Sequence, residues 1–340
     1  MTKATQQKAS ANPKPSWFWR HRRGLAVVLA IVVVPFILWV TWAENNPEGE
    51  RELRLATHDW LEETFPEEMA LQDGWYGLFD RSDQGAVNKP RVVLVHGLDE
   101  PGVVWGELMP VLIEAGYSVS EFHYPNDDAV DSSTAYLVSE WHKLAAEQPV
   151  VLIGHSMGGL LIREFVSAWR HPVEQAPRVA GASVLGVILV GTPNQGSHMA
   201  RLRIFTEMRD QFKTNTDEGR DPSILAPFKD GTGAAKVDLR PGSVFLTELN
   251  QRPWPPEVRV DAIAGVLADN EMGDVVGDGA VTLESARLPE LVDEPHIVTA
   301  THRGLVRRYL PQMDQAPAIP IIVGILADWS ADVEGRAPTE

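Results

Sequence analysis

The segment "VVLIGHSMGGLLIREF", residues 150–165, decides the fold of this chain. It begins as an apolar run typical of a buried strand, breaks at one serine between glycines, and continues with helical spacing of its apolar residues. Gly154, Ser156 and Gly158 make a G-x-S-x-G sequence at this predicted strand-to-helix turn. Small residues on each side allow a sharp, strained turn that lifts the hydroxyl above a sheet. The pattern therefore predicts that Ser156 is a nucleophile.

Strands alternating with helices surround this turn. Predicted strands are "RVVLVHGL", "YSVSEFHYP", "VLGVILVGTP", "VRVDAIAG" and "HIVTAT", and predicted helices are "WGELMPVLIEAG", "SSTAYLVSEWHKLAAEQ", "SVFLTELN" and "GLVRRYL". Several of the strands are apolar on both faces, which is typical of a parallel sheet covered by helices on both sides. We expect an α/β fold with a mostly parallel sheet.

Four sequence blocks carry a resemblance to a known family. They are "LVHGL" (94–98), "GHSMGG" (154–159), "GTPNQGS" (191–197) and "GDGAVTLESA" with "THRGL" (277–286 and 301–305). In this order they resemble the α/β-hydrolase superfamily, in its lipase and esterase branch, and are similar to microbial lipases and PGAP-like lipid-remodelling hydrolases. The resemblance covers roughly residues 87–310. It implies the α/β-hydrolase fold and hydrolysis of carboxylic esters.

A serine nucleophile needs a histidine base, which in this fold follows the serine and the acid along the chain. His171 and His198 follow Ser156 too closely for an acid-bearing strand to intervene. His302 lies between the last predicted strand and helix, at the carboxyl edge where parallel sheets place their sites. We therefore favour His302 as the base, with His296, at the start of that strand, as the alternative.

The acid and the oxyanion donors are taken mainly from the resemblance. Asp278, between two glycines, resembles the lipase block "DG-x-V" whose aspartate holds the histidine, and Asp274 and Asp269 remain alternatives. Met157 follows the nucleophile, so its backbone N–H is one expected oxyanion donor. By resemblance to the lipase loop after the first apolar strand, the N–H of Leu98 is the second.

Composition excludes several other functions. Cysteine is absent, so disulfides and cysteine-based zinc sites are excluded. Asp269, Asp274 and Asp278 match no standard calcium loop, and no glycine-rich phosphate loop follows a strand. Residues 44–340 carry all 47 acidic residues but only 24 of the 30 basic ones, so they should repel nucleic acid. We expect no metal, no cofactor and no nucleic-acid partner.

The N-terminal region has the pattern of a membrane anchor. Residues 1–23 form a tail with six Lys and Arg and no acid, and residues 24–43, "GLAVVLAIVVVPFILWVTWA", are 20 residues without a charge. That length suffices to cross a bilayer as a helix, and the basic tail places the N-terminus in the cytoplasm. A cleaved signal peptide is less favoured, because no small-residue cleavage site follows. The catalytic domain is then expected on the outer side, periplasmic or extracellular.

The rest of the chain divides into three predicted parts. Residues 44–86 are an acidic stalk or connecting segment that we expect to dock partly on the domain, residues 87–316 are the hydrolase domain, and residues 317–340 are a C-terminal segment whose apolar stretch "AIPIIVGILA" is too short to span a membrane. An insertion at about 194–241 is predicted to cap Ser156. It contains an apolar stripe that either lines a lid or packs on its own domain: Met199, Leu202, Phe205, Met208 and Phe212.

Together these patterns predict a membrane-anchored serine hydrolase of carboxylic esters, with a lipid ester as the favoured substrate. Thioester or amide hydrolysis and acyl transfer are alternatives on the same fold. A tethered binding protein without turnover is the alternative of another class. The sequence indicates no oligomeric state.

Overall fold

The computed structural model describes residues 17–71, 74–86, 88–98, 100, 103–198, 225, 228–269, 271–289, 291–292, 294–308 and 313–334. For residues 17–29, 32, 271, 272, 274 and 332–334 the description is of the backbone only. The chain divides into two compact units, Met1–Gly49 and Glu50–Glu340. The apolar stripe predicted between Met199 and Phe212 lies outside the described residues.

The first unit contains one long helix, α1 (Trp17–Asn45), which is 29 residues long and has Pro35 in its interior. The whole uncharged segment 24–43 falls within it. Among the described residues, no helix is both long enough and apolar enough to cross a membrane. The spanning role of residues 24–43 therefore stays a prediction.

The second unit is built on a seven-stranded sheet with the order β1-β3-β2-β4-β5-β6-β7. The strands are β1 (Gly77–Ser82), β2 (Arg91–Val95), β3 (Val119–His123), β4 (Val150–His155), β5 (Val184–Val190), β6 (Arg259–Val266) and β7 (His296–Thr299). Only the pairing of β1 with β3 is antiparallel; the other five are parallel. The mostly parallel sheet predicted from the apolar runs is confirmed.

Helices precede, connect and follow these strands. They are α2 (Pro47–Thr64), α3 (Pro66–Met69), α4 (Leu108–Glu114), α5 (Val130–Glu140), α6 (Met157–Glu164), α7 (Ala234–Asp238), α8 (Val244–Gln251), α9 (Glu271–Val276), α10 (Leu283–Ala286) and α11 (Ala318–Glu334). A π-helical stretch, Phe165–Arg170, extends α6. The helix predicted for "GLVRRYL" is instead a short 3-10 turn, Arg303–Leu305.

Both faces of the sheet are buried, because neighbouring residues of one strand enter different cores. In β2, Val93 and Val95 pack with residues of α5, α6 and α8, whereas Val92 and Leu94 pack with residues of α4 and α11. All four side chains are fully buried. This double burial explains why β2 is apolar at consecutive positions rather than at alternate ones.

The folded unit is longer at both ends than the predicted hydrolase domain. Strand β1 lies in residues 44–86, the predicted stalk, and it pairs with β3 at the edge of the sheet. Helix α11 lies in the predicted C-terminal segment, and Ile319, Ile322 and Leu326 on it are buried in the core. The apolar stretch "AIPIIVGILA" therefore packs on the sheet.

Helix α2 is joined to the end of the predicted cap by buried charges. Glu50 accepts hydrogen bonds from Arg54 at 3.0 Å and pairs with Arg240 at 2.8 Å, and the Glu50 side chain is 1% exposed. The next residue of the helix, Arg51, donates to Asp238 at 2.7 Å. Residues 228–241, the longest described part of the cap, are thereby joined to α2.

We predict that Glu50→Ala destabilises the fold by about 3 to 5 kcal/mol, because it leaves the Arg240 guanidinium buried without its anion. Glu52→Ala, at an exposed position of the same helix, should change the free energy of unfolding by less than about 0.5 kcal/mol. Urea unfolding of the purified chain, followed by circular dichroism, measures both. Equal effects of the two substitutions would contradict a stabilising role for this pair.

Candidate active site

Ser156 lies at the sharp turn between β4 and α6, as the G-x-S-x-G sequence predicts. Its backbone has φ 54° and ψ −126°, a left-handed conformation that costs a non-glycine residue strain energy. Its N–H donates to the carbonyl of Val190 at 2.9 Å, which fixes the turn against the end of β5. A Cβ on Gly158 would lie 2.3 Å from the Val95 carbonyl oxygen, so the turn closes only with glycine there. Ser156 is half-buried.

Asp278 and His302 form a hydrogen-bonded pair. The Nδ1 atom of His302 is 2.7 Å from Oδ2 of Asp278, whose side chain is 1% exposed. The other carboxylate oxygen, Oδ1, accepts backbone hydrogen bonds from Ala280 and Val281 at 2.9 and 2.8 Å. These bonds fix the carboxylate, and the carboxylate in turn orients the imidazole, so that Nε2 is the ring nitrogen left for proton transfer.

The imidazole of His302 lies beside the serine turn. A Cβ placed on Gly191 would lie 3.3 Å from two atoms of this ring, and Gly191 directly follows Val190, the acceptor of the Ser156 N–H. The rings of His302 and His155, the residue before Ser156, have centroids 4.7 Å apart. The structure therefore brings the predicted nucleophile, base and acid to the carboxyl edge of the sheet.

The alternative bases lie elsewhere. His296 begins β7 and its Nε2 is 3.2 Å from Oδ1 of Asp261, upstream of the carboxyl edge. His171 accepts a hydrogen bond from the N–H of Val184, at the start of β5 and therefore at the opposite edge. His198 is exposed. The contacts therefore favour His302.

Among the alternative acids, Asp269 is exposed, and the side chain of Asp274 lies outside the described residues. Asp278 contacts His302 both through its side chain and through its backbone, since its carbonyl accepts the His302 N–H at 3.0 Å.

The loop after β2 touches the serine turn. A Cβ on Gly97 would lie 2.7 Å from Cβ of Ser156, and the next residue, Leu98, is 4% exposed. His96 stacks on Tyr124 with ring centroids 4.5 Å apart. Burial lowers the pKa of His96 to about 4, so the ring is neutral at physiological pH. The burial and stacking of His96 support a structural role for it, and the oxyanion donors on Leu98 and Met157 stay a prediction.

The "GTPNQGS" block supports the loop that carries Asp278. Asn194 donates to the carbonyl of Ala286 at 2.9 Å and accepts from Arg163 of α6 at 3.0 Å. Ser197 donates to the carbonyl of Ala280, two residues after Asp278. The block thus links the helix that follows the nucleophile to the loop of the acid.

Sequence reasoning missed one group of residues in this region. Glu100 is 2.7 Å from Nδ1 of His155 and 2.7 Å from Nε of Arg303. No sequence pattern marks Glu100 or Arg303, because their contacts join loops far apart in the chain. The only signal was the position of His155, next to the nucleophile.

Comparison with known proteins is consistent with this geometry. A sequence model described as the alpha/beta hydrolase family matches residues 92–319. The chain belongs to the alpha/beta hydrolase family. No curated protein sequence matches this hydrolase.

Solved structures similar to this hydrolase include two lipases and an esterase. Staphylococcus hyicus lipase is 16% identical, with a TM-score of 0.52 over 79% of this chain and 100% of that chain. The mature form of Bacillus licheniformis lipase BlEst2 is 18% identical, with a TM-score of 0.50 over 75% of this chain and 99% of that chain. The metagenomic carboxyl esterase MGS0156 is 17% identical, with a TM-score of 0.50 over 84% and 91%. At such identities the likeness shows the fold alone.

Proposed function

We propose that this hydrolase cleaves carboxylic esters through a serine acyl-enzyme. The observation that carries the proposal is the 2.7 Å pairing of Asp278 with His302 beside the strained turn at Ser156. A histidine held in this way by a buried carboxylate is the arrangement that activates a serine hydroxyl. The lipases and the carboxyl esterase that share the fold support an ester substrate.

Each residue has a role in the proposed reaction. The Ser156 oxygen attacks the ester carbonyl carbon while Nε2 of His302 accepts its proton, and Asp278 stabilises the resulting imidazolium. The N–H groups of Leu98 and Met157 bind the oxyanion. His302 then protonates the leaving alcohol, and water, activated by His302 in turn, releases the acid and regenerates the free serine.

A fluorophosphonate probe tests this proposal, because it forms a covalent bond only with an activated serine and loses fluoride. We expect labelling of the full chain, no labelling of Ser156→Ala, and normal labelling of Ser139→Ala, which alters an exposed serine of α5. Failure of the wild-type protein to label would favour a binding protein without turnover.

Among ester substrates we favour a lipid ester, and a panel of graded acyl length tests this choice. The same panel includes a thioester, an amide and a non-water acyl acceptor, because the serine turn is common to all four chemistries. A rate that rises with acyl length supports the lipid substrate. A preference for short soluble esters would contradict a lipid substrate. A faster reaction with the thioester or the amide would assign that compound class as the substrate instead.

A lipid substrate agrees with a second proposal, that residues 24–43 anchor the chain in a membrane with the catalytic unit on the outer side. Its support is 20 uncharged residues within one 29-residue helix, preceded by six basic residues. A reporter fused after Glu340 should then be active only outside the cytoplasm. A cytoplasmic signal, or extraction of the chain by alkaline carbonate, would contradict the anchor or its orientation.

A further inference from the structure

Both ring nitrogens of His155 face hydrogen-bond acceptors. This fully buried residue ends β4, directly before Ser156. Its Nδ1 is 2.7 Å from a carboxylate oxygen of Glu100, and its Nε2 is 3.1 Å from the backbone carbonyl oxygen of His302. A neutral imidazole has only one N–H and could donate to only one of them. Both hydrogen bonds form together only when His155 is an imidazolium.

The surrounding charges favour this protonation state. Burial opposes a charge on His155, but the Glu100 carboxylate, the His302 carbonyl and Asp278 together offset it and raise the pKa of His155. Burial likewise opposes a charge on Glu100, but His155, His302 and Arg303 outweigh it and hold the pKa of Glu100 well below its usual range. The second oxygen of Glu100 accepts from Nε of Arg303 at 2.7 Å. Glu100 is therefore a buried anion shared by two cations.

The charged and polar groups around His155 and Glu100 come from three different loops. Glu100 lies in the loop after β2, Asp278 in the loop after β6, and His302 and Arg303 in the loop after β7. Glu100 and Asp278 both favour the charged form of His155. These ionic contacts thus connect the loop that touches Ser156 to the loop that carries the proposed base.

We infer that Glu100, His155 and Arg303 form an ionic clamp that positions His302 for proton transfer. The clamp holds the His302 carbonyl through the imidazolium of His155, while Asp278 holds both the His302 N–H and its ring Nδ1. All polar groups of His302 except Nε2 are then fixed. Glu100, His155 and Arg303 act as positioning residues, and this role rests on the proposed function of His302.

The isosteric substitution Glu100→Gln tests the clamp, because it removes the anion but little volume. With ¹⁵N-labelled histidine in the full chain, we expect both ring nitrogens of wild-type His155 to resonate as an imidazolium at pH 7. In Glu100→Gln that signature is lost, and kcat falls on the order of 10²-fold with KM nearly unchanged, as expected for a misplaced base. His155→Gln identifies the resonances.

Two further variants separate positioning from folding. Glu100→Asp keeps the charge and should restore the imidazolium signal and part of kcat. Glu107→Gln removes the comparable but more exposed pair with Arg308, at 3.1 Å, and should change neither readout.

The inference fails if wild-type His155 is neutral at pH 7, whatever the activity. It also fails if Glu100→Gln loses the imidazolium and keeps its kcat, or if Glu107→Gln lowers kcat equally. Absence of both ester hydrolysis and fluorophosphonate labelling in wild type would instead refute the proposed function, and the spectrum of His155 would still decide its charge. If Glu100→Gln does not fold, the wild-type spectrum and Glu100→Asp decide the question.

Discussion

Replacing Ser156 with alanine is expected to lower kcat for a soluble p-nitrophenyl ester by at least about 10⁴-fold, because no other group forms the acyl-enzyme. The N–H donors of Leu98 and Met157 remain, so substrate binding and KM should change little. Steady-state kinetics on the purified full chain measures both constants. Retention of more than a few per cent of the wild-type rate would contradict a Ser156 nucleophile.

The backbone at Ser156 provides a control that separates the turn from the chemistry. Alanine keeps the strained conformation at φ 54°, whereas glycine adopts it without a Cβ clash. Ser156→Gly should therefore be as inactive as Ser156→Ala and more stable by about 1 kcal/mol. Equal stabilities of the two variants would mean that the turn stores no strain in the native protein.

The local pattern around this turn was sufficient to predict the central part of the fold. The apolar runs of β4 and β5 follow from the burial of both faces of the sheet. The glycines follow from the close backbone contacts of the turn itself. His302 was predictable from its place after β7, because parallel strands end at one edge. Asp278 was preferred to Asp269 and Asp274 only through its resemblance to the lipase block, since all three follow β6.

Elements that depend on distant partners were not predictable in the same way. Strand β1 contains Asp80 and Arg81 and lies in an acidic region, so only its pairing with β3 shows it as an edge strand. The helix predicted after β7 is instead a 3-10 turn, and Leu305 and the following Val306 are both fully buried in the core.

The ionic clamp was unpredictable for a similar reason. Glu100 follows Asp99 and precedes Pro101, a composition typical of a turn. Its partners His155 and Arg303 are 55 and 203 positions away. Only the folded chain shows that the Glu100 carboxylate contacts both His155 and Arg303.

His302→Ala is the second substitution for which we expect a loss of kcat of at least about 10⁴-fold, because Ser156 then has no base. His296→Ala is the matched control, since His296 also contacts an aspartate, Asp261, at 3.2 Å. That variant should keep kcat within about threefold of wild type, as expected for a residue outside the reacting unit. Loss of activity in His296→Ala and full activity in His302→Ala would transfer the role of base to His296.

The triad should also behave as one unit. Because Ser156 and His302 act in the same proton transfer, the double variant Ser156→Ala/His302→Ala should be no slower than either single variant. Additive losses would show that the two residues act in separate steps.

Asp278→Asn tests the remaining member of the triad through the protonation of the histidine ring. An asparagine amide oxygen can still accept the N–H groups of Ala280 and Val281, which leaves its NH₂ group facing Nδ1 of His302. The ring must then carry its proton on Nε2, where it cannot accept the proton of Ser156. We expect a loss of kcat of about 10² to 10⁴-fold, smaller than in His302→Ala, because a minor fraction of rings in the other tautomer remains competent. A variant with wild-type kcat would show that another carboxylate orients His302.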